Sequence, residues 1–353
     1  MAAILPLANP PNARRTAFGI LRLVSSKDSK SSDGRIDGVI VMMVDRPVCV
    51  WIENARTEND RFLRGIDPDF FLRPVKRLQS HGFDTAERSS NAMGIRLGYW
   101  HAVETTLALI AATVQVPSLL PAWLDLYQTR DLDECVRRLR AAEPLPNRMG
   151  AERPSLSLFF EVMAQHFAMT EEARAEFSGP LTRVISAVAD EWLDKQARSE
   201  YNALKHGFRV RMTGLQTISI GLESEPGKPA EPSSMTVIAG SEFGTKQMTF
   251  EKVDGRQLHR AAALRTMNWD PAILVARVEV MAAVVANTIA CLRAESCQPG
   301  ETATPRVLSA DTLAVAGKRQ TGVLGMNWQQ AVSLASLEGL TEETLKRMYR
   351  MHG

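Results

Sequence analysis

The sequence predicts an α+β protein: a predominantly helical bundle with a small antiparallel β-meander inserted before the last bundle helix. Three observations carry that reading. The stretches Leu107–Val116 and Pro271–Ala294 are apolar on nearly every side, as helices inside a bundle must be. Between Leu215 and Met267 the apolar period shifts from helical to alternating. Proline, glycine and Asp-Gly signals punctuate the segments between. With 353 residues, 45% hydrophobic and 23% charged, the chain can bury a sizeable core.

Five stretches follow. Residues 1–82 form an irregular N-terminal segment, with a polar loop at Ser25–Gly34 and short buried strands at Val39–Val44 and Val48–Ile52 around an Asp-Arg-Pro turn. A short helix is expected between Asn54 and Gly82. Residues 83–212 are the helical bundle. Its first helix runs from Ala86 to Gln115, and Pro117 and Pro121 punctuate the chain before an amphipathic helix or pair at Leu120–Ala142. A linker at Pro144–Pro154 precedes an apolar helix at Leu156–Ala168. Thr170 caps the next segment, and Pro180 starts a long helix ending near Phe208. Residues 213–270 are the meander, with strands at Leu215–Leu222, Met235–Ile238, Gln247–Val253 and Leu258–Met267. Asp254-Gly255 is its hairpin turn. Asp270-Pro271 starts the helix that packs back on the bundle, residues 271–297. Residues 298–353 are a linker and a detachable helical tail, Trp328–Ala335 and Thr341–Met351.

Charge and cysteines exclude whole classes. The 42 basic and 40 acidic residues leave a net charge of +2, so the chain exerts no global pull on nucleic acid or acidic lipid. No run approaches 18 uncharged apolar residues, the longest candidate being Gly38–Val44, so no membrane partner is expected. Cys49, Cys135, Cys291 and Cys297 are too scattered for a disulfide framework or a thiolate zinc site, and they suit a cytoplasmic protein. There is no Gly-rich phosphate loop, GxSxG elbow, HExxH or EF-hand loop. No cofactor and no metal are expected.

The segment that could carry chemistry is Arg198–Arg209, RSEYNALKHGFR. At about 100° per residue from Arg198, Lys205 falls at about −20°, Arg209 at about 20°, Asn202 at about 40° and His206 at about 80°. Glu191 and Asp194 lie on the same side, one or two turns earlier. Leu193, Ala197, Leu204 and Phe208 fill the opposite arc, with Tyr201 at its edge. A solvated amphipathic helix ended by Gly207 accounts for this pattern. A site accounts for it too: His206 as general acid or base, Asn202 and Lys205 on a phosphate, and Arg198 or Arg209 on developing charge.

Tyr201-Asn202-Ala203-Leu204-Lys205-His206, followed by Gly207, is similar to the motif of the HEPN superfamily, helical bundles of bacterial toxins and defence systems. That motif is an arginine, a polar residue and, after four to six intervening positions, a histidine near the end of a bundle helix. The resemblance covers residues 86 to 212. It implies a homodimer and, in catalytic members, a metal-independent ribonuclease site in which histidine moves the proton of the ribose 2′-hydroxyl. Here Tyr201 stands where the family has arginine, and a neutral phenol brings no charge to a scissile phosphate. The expected function is therefore a non-catalytic HEPN-like interaction or sensing module, in stress or defence, with an RNA or protein partner. The alternative is an RNA-cleaving enzyme using His206.

A second cluster is His101 and Glu104, three residues apart on a helix that becomes wholly buried. Glu104 must there find a partner, in an ion pair or beside His206 or Lys205, where it would orient the site. A helical metal site at His101 and Glu104, with Glu161 and His166 as extra ligands, is the most distant reading, because the Glu-x-x-His pairs of such sites are missing.

Overall fold

The computed structural model describes residues 36–81, 87–207, 209–213, 216–220, 236–253, 258–296, 303–318, 326–329, 331 and 339–352. Eleven helices and eight strands lie among them, in a mostly helical α+β fold with small antiparallel sheets. The chain divides into two compact units. One comprises Met1–Asp69, Val103–Asp190 and Val280–Ser309, and the other Phe70–Ala102, Glu191–Glu279 and Ala310–Gly353.

The first unit opens with a hairpin of β1 (Ile36–Met43) and β2 (Arg46–Glu53). The register pairs Met43 with Arg46, so the turn is Val44-Asp45, and the expected Asp-Arg-Pro turn is displaced because Pro47 pairs with Met42 inside the ladder. Only one face of the hairpin is buried, through Val39, Val41 and Met43, while Ile40 and Trp51 stay exposed. Val44 sits at φ 61°, a costly position for a β-branched residue. Gln115 holds it there: Val44 N–H donates to Gln115 Oε1 at 3.1 Å, and Gln115 Nε2 donates to Val44 O at 2.9 Å. Trp123 Nε1 and Cys135 Sγ also donate to Oε1, and Nε2 reaches Pro146 O, so this buried amide has every group occupied.

The helices of this unit follow the predicted stops in part. α1 (Ala55–Gly65) is held by Asn59, which donates to Pro117 O and accepts from Leu120 N at 2.9 Å. The segment between Asn54 and Gly82 thus holds this helix and, in the second unit, α2 (Leu72–Ser80), two where one was expected. α3 (Arg88–Gln115) has the expected end. The amphipathic stretch is a pair, α4 (Leu120–Leu126) and α5 (Thr129–Ala141), with Asp131 accepting from Gln128 N–H at the join. α6 (Leu156–Gln165) starts at Ser155, whose hydroxyl accepts from Leu158 N. α7 (Glu171–Leu193) runs straight through Pro180 instead of starting there. It forfeits one N–H at the proline and stops at Asp194, whose extended backbone and carboxylate cap the next helix.

In the second unit, α3 presents Gly94 and Gly98 to α2. A Cβ at Gly98 would sit 2.6 Å from Val75 Cγ2, so that close approach favours glycine, while one at Gly94 would displace the tip of Leu78. α8 (Lys195–Lys205) leads to a four-stranded antiparallel sheet, β3 (Val210–Thr213), β6 (Gly244–Lys252), β7 (Arg260–Asn268) and β8 (Met326–Gln329), in the order β3-β6-β7-β8. A separate ribbon of β4 (Gln216–Ile220) and β5 (Thr236–Ser241) stands between β3 and β6 in the chain. The expected meander is therefore completed from the tail: Trp328 pairs with Leu264 in a strand, where a helix was expected, because β7 offers it an unpaired edge. The Asp254-Gly255 turn lies outside the described residues. Past α9 (Pro271–Ser296), the expected linker contains α10 (Ala310–Ala316), and α11 (Glu342–His352) closes the chain as expected. α9 also corrects the hydropathy reading. It is long and apolar enough to cross a membrane by length and composition, and its most apolar window is 83% buried.

Candidate functional site

Asp194 starts α8 by accepting from Ala197 N at 2.8 Å, and Gly207, at φ 69°, ends it with its N–H on Leu204 O. The helix therefore stops at Lys205, with His206 as its cap residue. Arg209 lies beyond the turn and next to β3, so its expected place on the helix wheel is overturned. Asn202, Lys205 and His206 are exposed at the helix end, as the polar stripe required.

Tyr201 is 1% exposed. Its ring stacks on Trp100 at 5.4 Å and meets His101 edge-on, and its hydroxyl lies 3.3 Å from His101 Nδ1. Trp192 completes the aromatic wall. Lys205 Nζ sits 4.0 Å over the Tyr201 ring, and the Arg198 guanidinium 4.4 Å over Trp192. Two of the cations on the polar stripe are thus laid against aromatic faces. His101 also stacks with Phe71. Tyr201, Lys205 and His101 come together, then, around an aromatic cluster.

Beside that cluster is a buried charge network that the sequence did not announce. Arg96, 1% exposed, donates from Nε and Nη2 to Glu200 Oε2, at 3.1 and 2.6 Å, and from Nη1 to Glu191 Oε1 at 2.9 Å. Glu191 in turn accepts from Tyr99 Oη at 2.6 Å and from Arg277 Nη1 at 2.9 Å. Arg277 also donates to Tyr99 Oη, Ala316 O and Lys318 O, tying α9 to the end of α10. Glu200 accepts from Thr245 on β6 and, more distantly, from Trp100 Nε1. Two guanidinium groups face two carboxylates, and the formal charges cancel.

The electrostatics follow from burial. Burial by itself would weaken the proton on Arg96, but Glu200 and Glu191 outweigh it and hold the guanidinium charged. Burial first, and the Glu191 carboxylate next, push the Tyr99 hydroxyl above the usual phenol range. A cavity of about 10 Å³, lined by Gln196, Glu200, Thr245, Gln247, Arg265 and Met267, has room for about one water.

The other candidates lie in the first unit. Glu104 is half-buried on α3, and its charge, after burial, raises the Tyr127 hydroxyl. Glu161 accepts from Ser157, while His166 faces Glu295 at 3.3 Å, so the two proposed ligands have different neighbours. Among the described residues no group of three or more His, Cys, Asp or Glu side chains could hold a metal ion.

Two signals could have exposed the network. Arg96 and Arg277 are charges set among apolar residues of long helices, and such a charge needs a partner once buried. Glu200 falls at about 200° on the α8 wheel, beside the apolar arc. No protein-family model, curated protein or solved structure matches this chain.

Proposed function

We propose that the chain is a non-catalytic HEPN-like interaction or sensing module that works as a homodimer. The observation that carries this reading is the state of the position where the family has arginine. Tyr201 is sealed among Trp100, Trp192 and His101. The guanidinium packed beside that aromatic cluster, Arg96, is spent on Glu200 and Glu191. Cleaving a phosphodiester without a metal needs a cation directed at the phosphate, and a charge already neutralised by two carboxylates cannot serve. A network built this way fixes packing instead.

The alternative, RNA cleavage through His206, is favoured by one observation: Asn202, Lys205 and His206 are exposed at one helix end. The two readings separate in a single assay. Purified protein incubated with labelled RNA in excess chelator is expected to leave the RNA intact, at the level of His206→Ala. Cleavage that His206→Ala abolishes would overturn the proposal. Sedimentation is expected to give twice the 39.0 kDa chain mass, and a monomer at all concentrations would remove the dimer.

A further inference from the structure

We propose that the outer face of the four-stranded sheet docks an extended acidic peptide segment of a partner protein, with apolar side chains set between its carboxylates. This rests on the reading of the chain as an interaction module, and it names that module's surface and the chemistry of its partner.

Residues directly opposite in an antiparallel ladder share a face. The register therefore puts Arg211 with Lys246, Met248 with Leu264, Phe250 with Ala262 and Lys252 with Arg260 on one side of the sheet. The other side carries Thr245, Gln247, Arg265 and Met267, which line the small cavity beside Glu200 and so face inward. On the outer side Phe250 is 64% and Met248 60% exposed, on the part of β6 that runs past its pairing with β3. Single exposed apolar residues are common, but two large ones adjacent on a strand and rimmed by charge mark an interaction surface.

The rim has one sign. Arg211 and Lys246 stand at one end and Lys252 at the other; Lys246 and Lys252, six residues apart on β6, are separated by about 20 Å. Among the described residues these three have no ion-pair partner, and no carboxylate lies on this face. Glu251 belongs to the inner side, where it pairs with Arg265, and Glu242 pairs with Arg88. Because the whole chain carries only +2, this local array supplies the attraction. Apolar side chains at the centre and carboxylates at both ends are the complement of this face. A single nucleic-acid strand fits it less well: stacking needs a ring for each base, and Met248 and Leu264, paired side by side between the cations, offer none.

A displayed random peptide library selected on the full chain tests the proposal. Enriched peptides are then measured by fluorescence anisotropy, beside a labelled oligouridylate. Enriched sequences are expected to flank aromatic or aliphatic residues with Asp or Glu. Phe250→Ser should weaken their binding at least about tenfold, and Lys246→Glu with Lys252→Glu should reverse the preference toward basic peptides. Met248→Ser replaces Phe250→Ser if the latter moves the urea midpoint. The proposal is overturned if no peptide is enriched over an unrelated protein, if the winners are neutral or basic, if affinity survives these substitutions, or if the oligouridylate binds more tightly. RNA cleavage dependent on His206 would sink the non-catalytic reading alone, since it leaves the peptide result untouched.

Discussion

Removing the Arg96 guanidinium is the sharpest perturbation of the second unit. Arg96→Met keeps most of the volume and deletes three close charge-assisted hydrogen bonds, two to Glu200 and one to Glu191. Glu191 keeps Arg277 and Tyr99, so its loss is partial. Glu200 is different: 2% exposed, it keeps only Thr245 and the long contact from Trp100 Nε1, and its charge is left uncompensated. Breaking a buried pair from one side costs about 3–5 kcal/mol. Arg96→Met should therefore lose about 4 kcal/mol, from a total of about 5–15 kcal/mol for a typical domain. Glu200→Leu should lose somewhat less, about 3 kcal/mol, because Arg96 retains Glu191. The double variant should lose about 2 kcal/mol, less than either single, because neither charge is then stranded. Urea denaturation followed by tryptophan fluorescence measures all three, with Trp100, Trp192 and Trp269 within or beside the network. A loss under about 1 kcal/mol for Arg96→Met, or losses that simply add, would refute the network as a coupled unit.

Two further perturbations probe the first unit. Gln115→Leu strands the Val44 N–H and C=O and the Trp123 indole N–H; at about 1–3 kcal/mol for each unsatisfied group, with incomplete additivity, denaturation should show a loss of about 3 kcal/mol. An unchanged urea midpoint would mean that the turn at Val44 holds without its bracket. Hydrogen bonds from Arg137, then Arg138, hold the Glu134 carboxyl at about 2, below its ordinary 4.5. The folded value is depressed, so the contribution of Glu134 is full above pH 4.5 and fades as pH falls toward 2. The stability difference between wild type and Glu134→Gln should close over that window, and a pH-independent difference would contradict the assignment.

How much of this was legible in the sequence depends on the range of the interaction responsible. The all-round apolar pattern placed α3 and α9 within about two residues of their ends, because burial on every side needs no knowledge of the partner. Gly207 marked the end of α8 because a left-handed residue is a local requirement. Pro180 misled for the complementary reason: a proline disfavours a helix interior by about 3 kcal/mol, a sum that the packing of the surrounding turns can exceed. The pairing of Met326–Gln329 with β7 was hidden, since about sixty residues separate the partners and neither strand names the other.

The candidate site divides along the same line. The sequence by itself determined that α8 carries a polar face ending in Asn202, Lys205 and His206, that Tyr201 borders its apolar stripe, and that the chain has no net field. Helical geometry and composition suffice for those. Only the tertiary structure decided where the charges are satisfied: Arg96 on Glu200 and Glu191, and Arg277 on Glu191 and the end of α10. It also decided which side of the sheet stays open, leaving Met248 and Phe250 between cations. The physical reason is that the energy of a charge depends on the dielectric and on the partner around it. Both are set by residues far away in the chain, from 39 positions for Arg277 and Ala316 to 104 for Arg96 and Glu200.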